Sequence, residues 1–335
     1  MSSAKSKLKT WLKGGLLYSG ALPLAARIAP PSAVILMYHS IVEEPKLTRH
    51  TIRVSQSKRL FEAQMRTLAE RFTPVTLDDI AAFAREGRVL PHHAVAVTFD
   101  DGFADNYYEA LPTLSRIGIP ATFYIMVNAI DSGTLPWYCR LNFAFQTTRR
   151  TAWQHPESGQ VHPLNDSQDR QVALQYGWEI GARKTGAAQH EFLCEVETSL
   201  DVNPPQTRVM LKWDQVKDLK KAGHTIGGHT LSHPNLAHVT DTEARAEIFG
   251  CKRRLEEVLG EPVHHFSYPH PALNPCWSSR TLDITREAGF RAAVLTYCGP
   301  IRRGDEPLCL KRIYPANDLR QWIWNLECTF LGRHI

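Results

Sequence analysis

The chain has no uninterrupted apolar run of bilayer length, no Cys-x-x-Cys pair, no internal repeat and no large excess of either charge. Each absence excludes a class of protein. A spanning helix needs about 20 consecutive apolar residues, and a solenoid or propeller needs a sequence period. The seven cysteines are odd in number and scattered. They form no disulfide framework and read as reduced, buried thiols, none of them a metal ligand. The net charge of +5 is spread along the chain without interleaved aromatic residues. This excludes nucleic acid as a partner and leaves only weak attraction to anionic surfaces. What remains is a chain of 335 residues, 43% hydrophobic, able to bury a full core as one barrel-sized domain.

Two short polar clusters carry the chemistry. The first is Val97-Thr-Phe-Asp-Asp-Gly102 and the second His229-Thr-Leu-Ser-His233. Side chains alternate along a strand, so Asp100 and Asp101 point the same way only if the chain turns, which Gly102 permits. One carboxylate can then ligate a cation while the other accepts a proton. Two histidines four positions apart meet on one side of a turn and offer neutral imidazole nitrogens. One Asp and two His make three protein ligands, the count of a catalytic site with an open position rather than a closed structural site. Alone, each cluster is also a common surface feature. Their setting strengthens them: Ala94–Phe99 and Thr225–Gly228 read as buried strands, and α/β folds gather active sites at the C-terminal ends of such strands.

These residues carry a resemblance. The stretch Val95-Ala-Val-Thr-Phe-Asp-Asp-Gly-Phe-Ala-Asp-Asn-Tyr107, followed by Leu111-Pro-Thr-Leu-Ser-Arg-Ile-Gly-Ile-Pro-Ala-Thr-Phe-Tyr124, resembles the first motif of the polysaccharide deacetylases with a NodB-homology domain, carbohydrate esterase family 4. His229 to His233 resembles the second motif, Ile35-Leu-Met-Tyr-His-Ser-Ile41 the first strand, and Phe266-Ser-Tyr-Pro-His270 stands in the place of the third motif. The likeness spans residues 33–315 in the expected order.

The resemblance implies a distorted (β/α) barrel that removes an N-acetyl or similar acyl group from an amino sugar of a bacterial surface glycan or its precursor. It implies a divalent metal, zinc by donor type, held by Asp101, His229 and His233, with Asp100 as general base. A divalent ion polarises an amide carbonyl and lowers the pKa of water. Two positions depart from the family pattern. The arginine that orients the base is replaced by Ser267, and the histidine of the Leu-x-His motif, the general acid, by Arg312 in Leu310-Lys-Arg312. Arginine is no acid near neutral pH, so His270 and His39 are the candidate proton donors, each weighed against a structural role. The backbone N–H of His270 remains available to an oxyanion. Arg312 fits either an anionic group of the substrate or an ion pair within the fold. Tyr268, Leu310, Arg312, His39 and Trp137 are the expected substrate contacts. Two alternatives stay open: a catalytically weak relative that only binds glycan, and a hydrolase of a non-sugar C–N bond.

Hydrophobic periodicity predicts alternating strands and helices. Helices are expected around Leu60, Phe61, Met65 and Leu68, after the Thr76 and Asp79 capping pair, and over residues 105–116, 213–222, 241–259, 281–288 and 318–331, with a strand over 292–295. Residues 128–208 are polar and lack strand patterns. They are expected to be a helical or irregular insertion that either packs on the barrel or acts as a lid with Trp137 as a stacking platform. Residues 316–335 form a C-terminal helical segment. In residues 1–32, Lys5, Lys7, Lys9 and Lys13 with Trp11, Leu12, Leu16 and Leu17 fit an amphipathic helix on an anionic membrane. The expectation is cytoplasmic or peripheral residence on the inner membrane, with export as the alternative. Nothing in the sequence fixes an oligomeric state.

Overall fold

The structure is a computed structural model and describes residues 30–43, 55–204 and 208–333. The amphipathic segment expected near the N-terminus lies outside the described residues, apart from its last few positions.

The strands in chain order are β1 (Ser32–Tyr38), β2 (Ser40–Val42), β3 (Ser55–Ser57), β4 (Thr73–Pro74), β5 (Ala94–Phe99), β6 (Ala121–Ile125), β7 (Ala152–Gln154), β8 (Val161–Pro163), β9 (Thr225–Gly228), β10 (His265–Ser267), β11 (Ala292–Val294) and β12 (Ile301–Arg302). The main sheet runs β11-β10-β9-β6-β5-β1-β12, with β4 beside the start of β5. All of its pairings are parallel except that of β12 with β1. Every residue of β5 is buried, which is why this strand reads as a continuous apolar run rather than an alternating one. The sheet curls until residues 310–313 bridge its two sides: Leu310 pairs with Val294 of β11 and Ile313 with Leu36 of β1, both in parallel. Hydrogen bonds from Ile313 to the Ile35 carbonyl (2.9 Å) and from Met37 to the Ile313 carbonyl (3.0 Å) secure the closure. Parallel strands place their C-terminal ends on one rim, so the residues after β1, β5, β9, β10 and β11 converge there.

Eleven α-helices accompany the described strands: α1 (Lys58–Arg71), α2 (Leu77–Glu86), α3 (Leu111–Ile117), α4 (Val127–Ser132), α5 (Trp137–Thr147), α6 (Ser167–Gly181), α7 (Gly186–Ser199), α8 (Trp213–Lys221), α9 (Asp241–Leu259), α10 (Ser279–Glu287) and α11 (Leu319–Phe330). The Thr76 and Asp79 pair caps α2 in both directions, satisfying amides that the first turn leaves free. The expected helix over 105–116 is divided, opening with a π-turn at Asn106–Ala110 before α3.

The insertion corrects one expectation. It is helical through α5, α6 and α7, but it also carries the antiparallel hairpin β7-β8. Polar residues on the exposed side of that hairpin conceal its alternation: Trp153 and His162 face inward, while both neighbours of each are exposed. The insertion shares the main apolar core with the barrel through Leu141, Phe145, Trp153, Leu174 and Phe192. A Cβ on Gly181 would lie 2.6 Å from the Trp137 ring, so α6 approaches α5 at a distance that only glycine permits. Arg140 of α5 and Glu197 of α7 add a two-pronged ion pair at 2.7 Å. None of the seven cysteines is in a disulfide; Cys139, Cys251, Cys276 and Cys328 are buried as expected, whereas Cys298 and Cys309 are half-buried and Cys194 is exposed.

Candidate active site

Asp100 and Asp101 follow β5, and their side chains diverge because Asp101 takes a left-handed backbone (φ 76°) with Gly102 beside it at φ 83°. His229 follows β9. Its Nδ1 is 2.7 Å from the carbonyl of Ser267, so the Nδ1–H donates there and the Nε2 lone pair is turned inward. The carboxylate Oδ1 of Asp101 lies 3.3 Å from Nε2 of His229 and 3.4 Å from Nε2 of His233. Three donor atoms from these buried residues thus fall within 4.8 Å of one another, and Asp101 Oδ1 accepts no well-directed hydrogen bond among the described residues. A buried carboxylate oxygen with no proper donor is costly, and this donor set fits a divalent cation.

The loop that carries the histidines is held in a strained form. Thr230 and His233 both have positive φ, at 64° and 60°, a conformation that non-glycine residues hold only when their surroundings enforce it. The enforcing groups can be named. Glu247 of α9 accepts hydrogen bonds from the amides of Leu231 and Ser232, each 2.8 Å, and from the Ser232 hydroxyl at 2.5 Å. Thr230 Oγ1 accepts from the His233 amide at 2.9 Å. The indole N–H of Trp137 donates to the His233 carbonyl at 3.1 Å.

Asp100 has a different environment. Its two oxygens are each 2.7 Å from the guanidinium of Arg312, a two-pronged pair, and Ser267 Oγ donates to it at 3.2 Å. Arg312 is fully buried and also donates to Thr98 Oγ1, Ser267 Oγ and the Leu295 carbonyl. Burial alone would raise the Asp100 pKa, but the Arg312 guanidinium and the nearby His229 outweigh it and hold the carboxyl below its ordinary range. Arg312 therefore stands at one position of the sequence and fills the space expected of a guanidinium at another, the one occupied by Ser267.

The cluster forms the floor of a cavity of about 210 Å3, whose walls include His39, Trp137, Tyr138, Trp178, Tyr268, His270, Thr296 and Tyr314. His39 is half-buried and its Nδ1 has no partner among the described residues; burial lowers its pKa, opposed by Asp101 and Asp100. The His270 ring is held between Thr296 Oγ1 (2.6 Å) and Asn274 Oδ1 (2.9 Å).

A profile of the polysaccharide deacetylase family matches residues 87–293. The chain belongs to that family. YxkH of Bacillus subtilis (strain 168), which bears the same family name, is 21% identical over 285 residues, covering 85% of this chain and 71% of that protein. The chitooligosaccharide deacetylase of Azorhizobium caulinodans is 36% identical over 70 residues, 21% of this chain and 31% of that protein. The Streptococcus pyogenes deacetylase PplD, solved with acetate, is 18% identical and superposes with a TM-score of 0.60 over 90% of this chain and 99% of its own. The architecture is the (β/α) barrel of the deacetylases, and the activity class is deacetylation of carbohydrate.

In this deacetylase the structure brings Asp100, Asp101, His229, His233, His39, Tyr268, His270 and Trp137 to one cavity. Two expected substrate contacts do not line it. Leu310 and Arg312 are fully buried, the first in the barrel-closing segment and the second with its donors spent on Asp100 and its neighbours. Trp137 touches the cavity but is only 4% exposed, and its N–H is committed to His233. It supports the ligand loop and offers little face for stacking. Trp137→Phe, which removes the N–H and keeps a ring, is expected to cost about 1 kcal/mol and to weaken metal retention, whereas Trp137→Ala should cost about 3–5 kcal/mol. Thermal melting and zinc titration of both variants check this. Glu247 had a signal in the sequence: it occupies a place in the buried stripe of Ala244, Ile248, Cys251 and Leu255, where an acid needs a partner. Trp178 and Tyr314 had no such signal.

Proposed function

We propose that the chain is a metal-dependent hydrolase that removes an N-acetyl group from an amino sugar of a bacterial surface glycan or its precursor. The observation that carries this reading is the juxtaposition of an Asp101, His229 and His233 donor set with a separate carboxylate, Asp100, whose orientation Arg312 fixes from behind. Asp101, His229 and His233 would hold the ion, with zinc suited to two imidazoles and one carboxylate. When bound, such an ion supplies Lewis acidity toward the amide carbonyl and toward water. Asp100 accepts the proton of the attacking water. The backbone N–H of His270 stabilises the oxyanion of the tetrahedral intermediate, and the His270 imidazole, whose Nδ1 faces Thr296 Oγ1 and whose Nε2 faces Asn274 Oδ1, gives its proton to the departing amine on turning away from one of these partners. Arg312 is a positioning residue. It keeps Asp100 ionised and aimed while touching no reacting atom. A guanidinium buried wholly behind one carboxylate is costly for a module that only binds sugar, which favours the hydrolase.

The test is metal content together with turnover. The purified chain should carry about one divalent ion per molecule, and His229→Ala or His233→Ala should strip it and abolish acetate release from N-acetylated glucosamine oligomers. Full metal content in both variants, measured by elemental analysis, would overturn the assignment.

A further inference from the structure

The cavity above the donor cluster leaves two aromatic walls partly open to water. Trp178, on α6 of the insertion, is half-buried, and Tyr314, two residues past Arg312, is 41% exposed. Trp178 is held by its own side chain, and Tyr314 by the backbone beneath it. The Trp178 indole N–H lies 3.4 Å from the carbonyl of Tyr138, whose ring is 5.0 Å from that of His233. Tyr314 follows Ile313, which is bonded into β1 on both of its backbone sides. Exposed aromatic surface forgoes burial worth about 25 cal/mol per Å2, and a ring already held before a ligand arrives, as Trp178 is by its N–H, loses little entropy on binding it. The volume of about 210 Å3 is below the roughly 300–1,000 Å3 typical of drug-sized ligands, which suits a single ring with its substituent.

We infer that Trp178 and Tyr314 receive the apolar C–H face of the pyranose whose acyl group is cut, and that this pair selects an N-acylated amino sugar over a small non-sugar amide. A pyranose offers hydroxyls at its edge and C–H groups on its faces, so an aromatic wall recognises it by shape and dispersion while the acyl group descends to the floor. A linear amide has no such face and gains nothing from the walls. The inference rests on the deacetylase reading of the site. It adds that the insertion and the barrel-closing segment each contribute one wall.

The test uses the full zinc-loaded chain carrying Asp100→Asn, in which turnover is slowed by roughly 10²-fold or more so that binding is titrated ahead of hydrolysis, and tetra-N-acetylchitotetraose as probe. Calorimetric titration should show binding that weakens about tenfold in Trp178→Ala and in Tyr314→Ala, and that stays within roughly threefold in Trp178→Phe, which keeps an aromatic face. In the chain with Asp100 restored, the same alanine variants should raise KM far more than they lower kcat. Should Trp178→Ala melt below the assay temperature, Tyr314→Ala carries the test, since its ring is partly outside the core. Unchanged binding in the alanine variants would overturn the inference, as would an equal loss in Trp178→Phe or no saturable binding at all. Acetate release by the wild-type chain is scored separately. Wall-dependent binding without acetate release would remove the hydrolase and leave the sugar site.

Discussion

Asp100→Asn is expected to lower turnover by roughly 10²-fold or more while the metal stays bound. The amide has the shape of the carboxylate but cannot accept a proton at working pH, and the three metal donors do not include it. The substitution also sets an amide N–H against one prong of the Arg312 fork, where both oxygens now accept at 2.7 Å. A stability loss of about 1–3 kcal/mol is therefore expected, and rates should be taken well below the melting transition. Asp101→Asn should behave differently, losing metal and activity together. If Asp100→Asn turns over N-acetylated substrate at the wild-type rate with its metal in place, the base is another group.

Arg312→Ala should be among the most destabilising single changes in the site, on a par with Trp137→Ala. It strands Asp100 in a buried position, and it also removes the donors to Thr98 Oγ1, Ser267 Oγ and the Leu295 carbonyl. Breaking a buried pair by deleting one partner costs about 3–5 kcal/mol, and the loss should appear in chemical denaturation as a lower midpoint. Turnover should fall as well, because the carboxylate loses both its orientation and the charge that opposes the effect of burial. Arg312→Lys keeps the charge and loses the fork, so it should recover part of the stability and little of the rate. A variant in which Arg312→Ala kept the wild-type midpoint would show that the pair contributes nothing to the fold.

How much of this was legible in the sequence depends on whether a residue acts through a local pattern or through a distant partner. Strands β5 and β9 and helix α9 have the bounds expected from burial runs and caps, because such signals lie within a few residues of the element they define. The convergence of Asp101 with His229 and His233 followed from both clusters ending strands of one parallel sheet. The partner of Asp100 could not be read in this way. Arg312 lies 212 positions away in sequence, on a segment of four residues whose pairing with both β11 and β1 has no periodicity to detect. The Trp137 side chain shows the same limit: a helical or irregular insertion was expected around it, whereas the direction of its N–H depends on where His233 comes to rest.

The hydrogen bond from Trp137 to His233 sets where a chimaera of this chain can be cut. Residues 128–208 are the obvious cassette to exchange when substrate preference is to be redesigned, since they supply a cavity wall at Trp178 and connect to the barrel only at their ends in sequence. A graft that replaces the whole cassette also discards the donor that steadies a metal ligand, so a hybrid could lose its ion for reasons unrelated to the new wall. Crossover points placed after α5 retain Trp137, Tyr138 and the start of the shared core, and leave α6 and α7 as the exchangeable part.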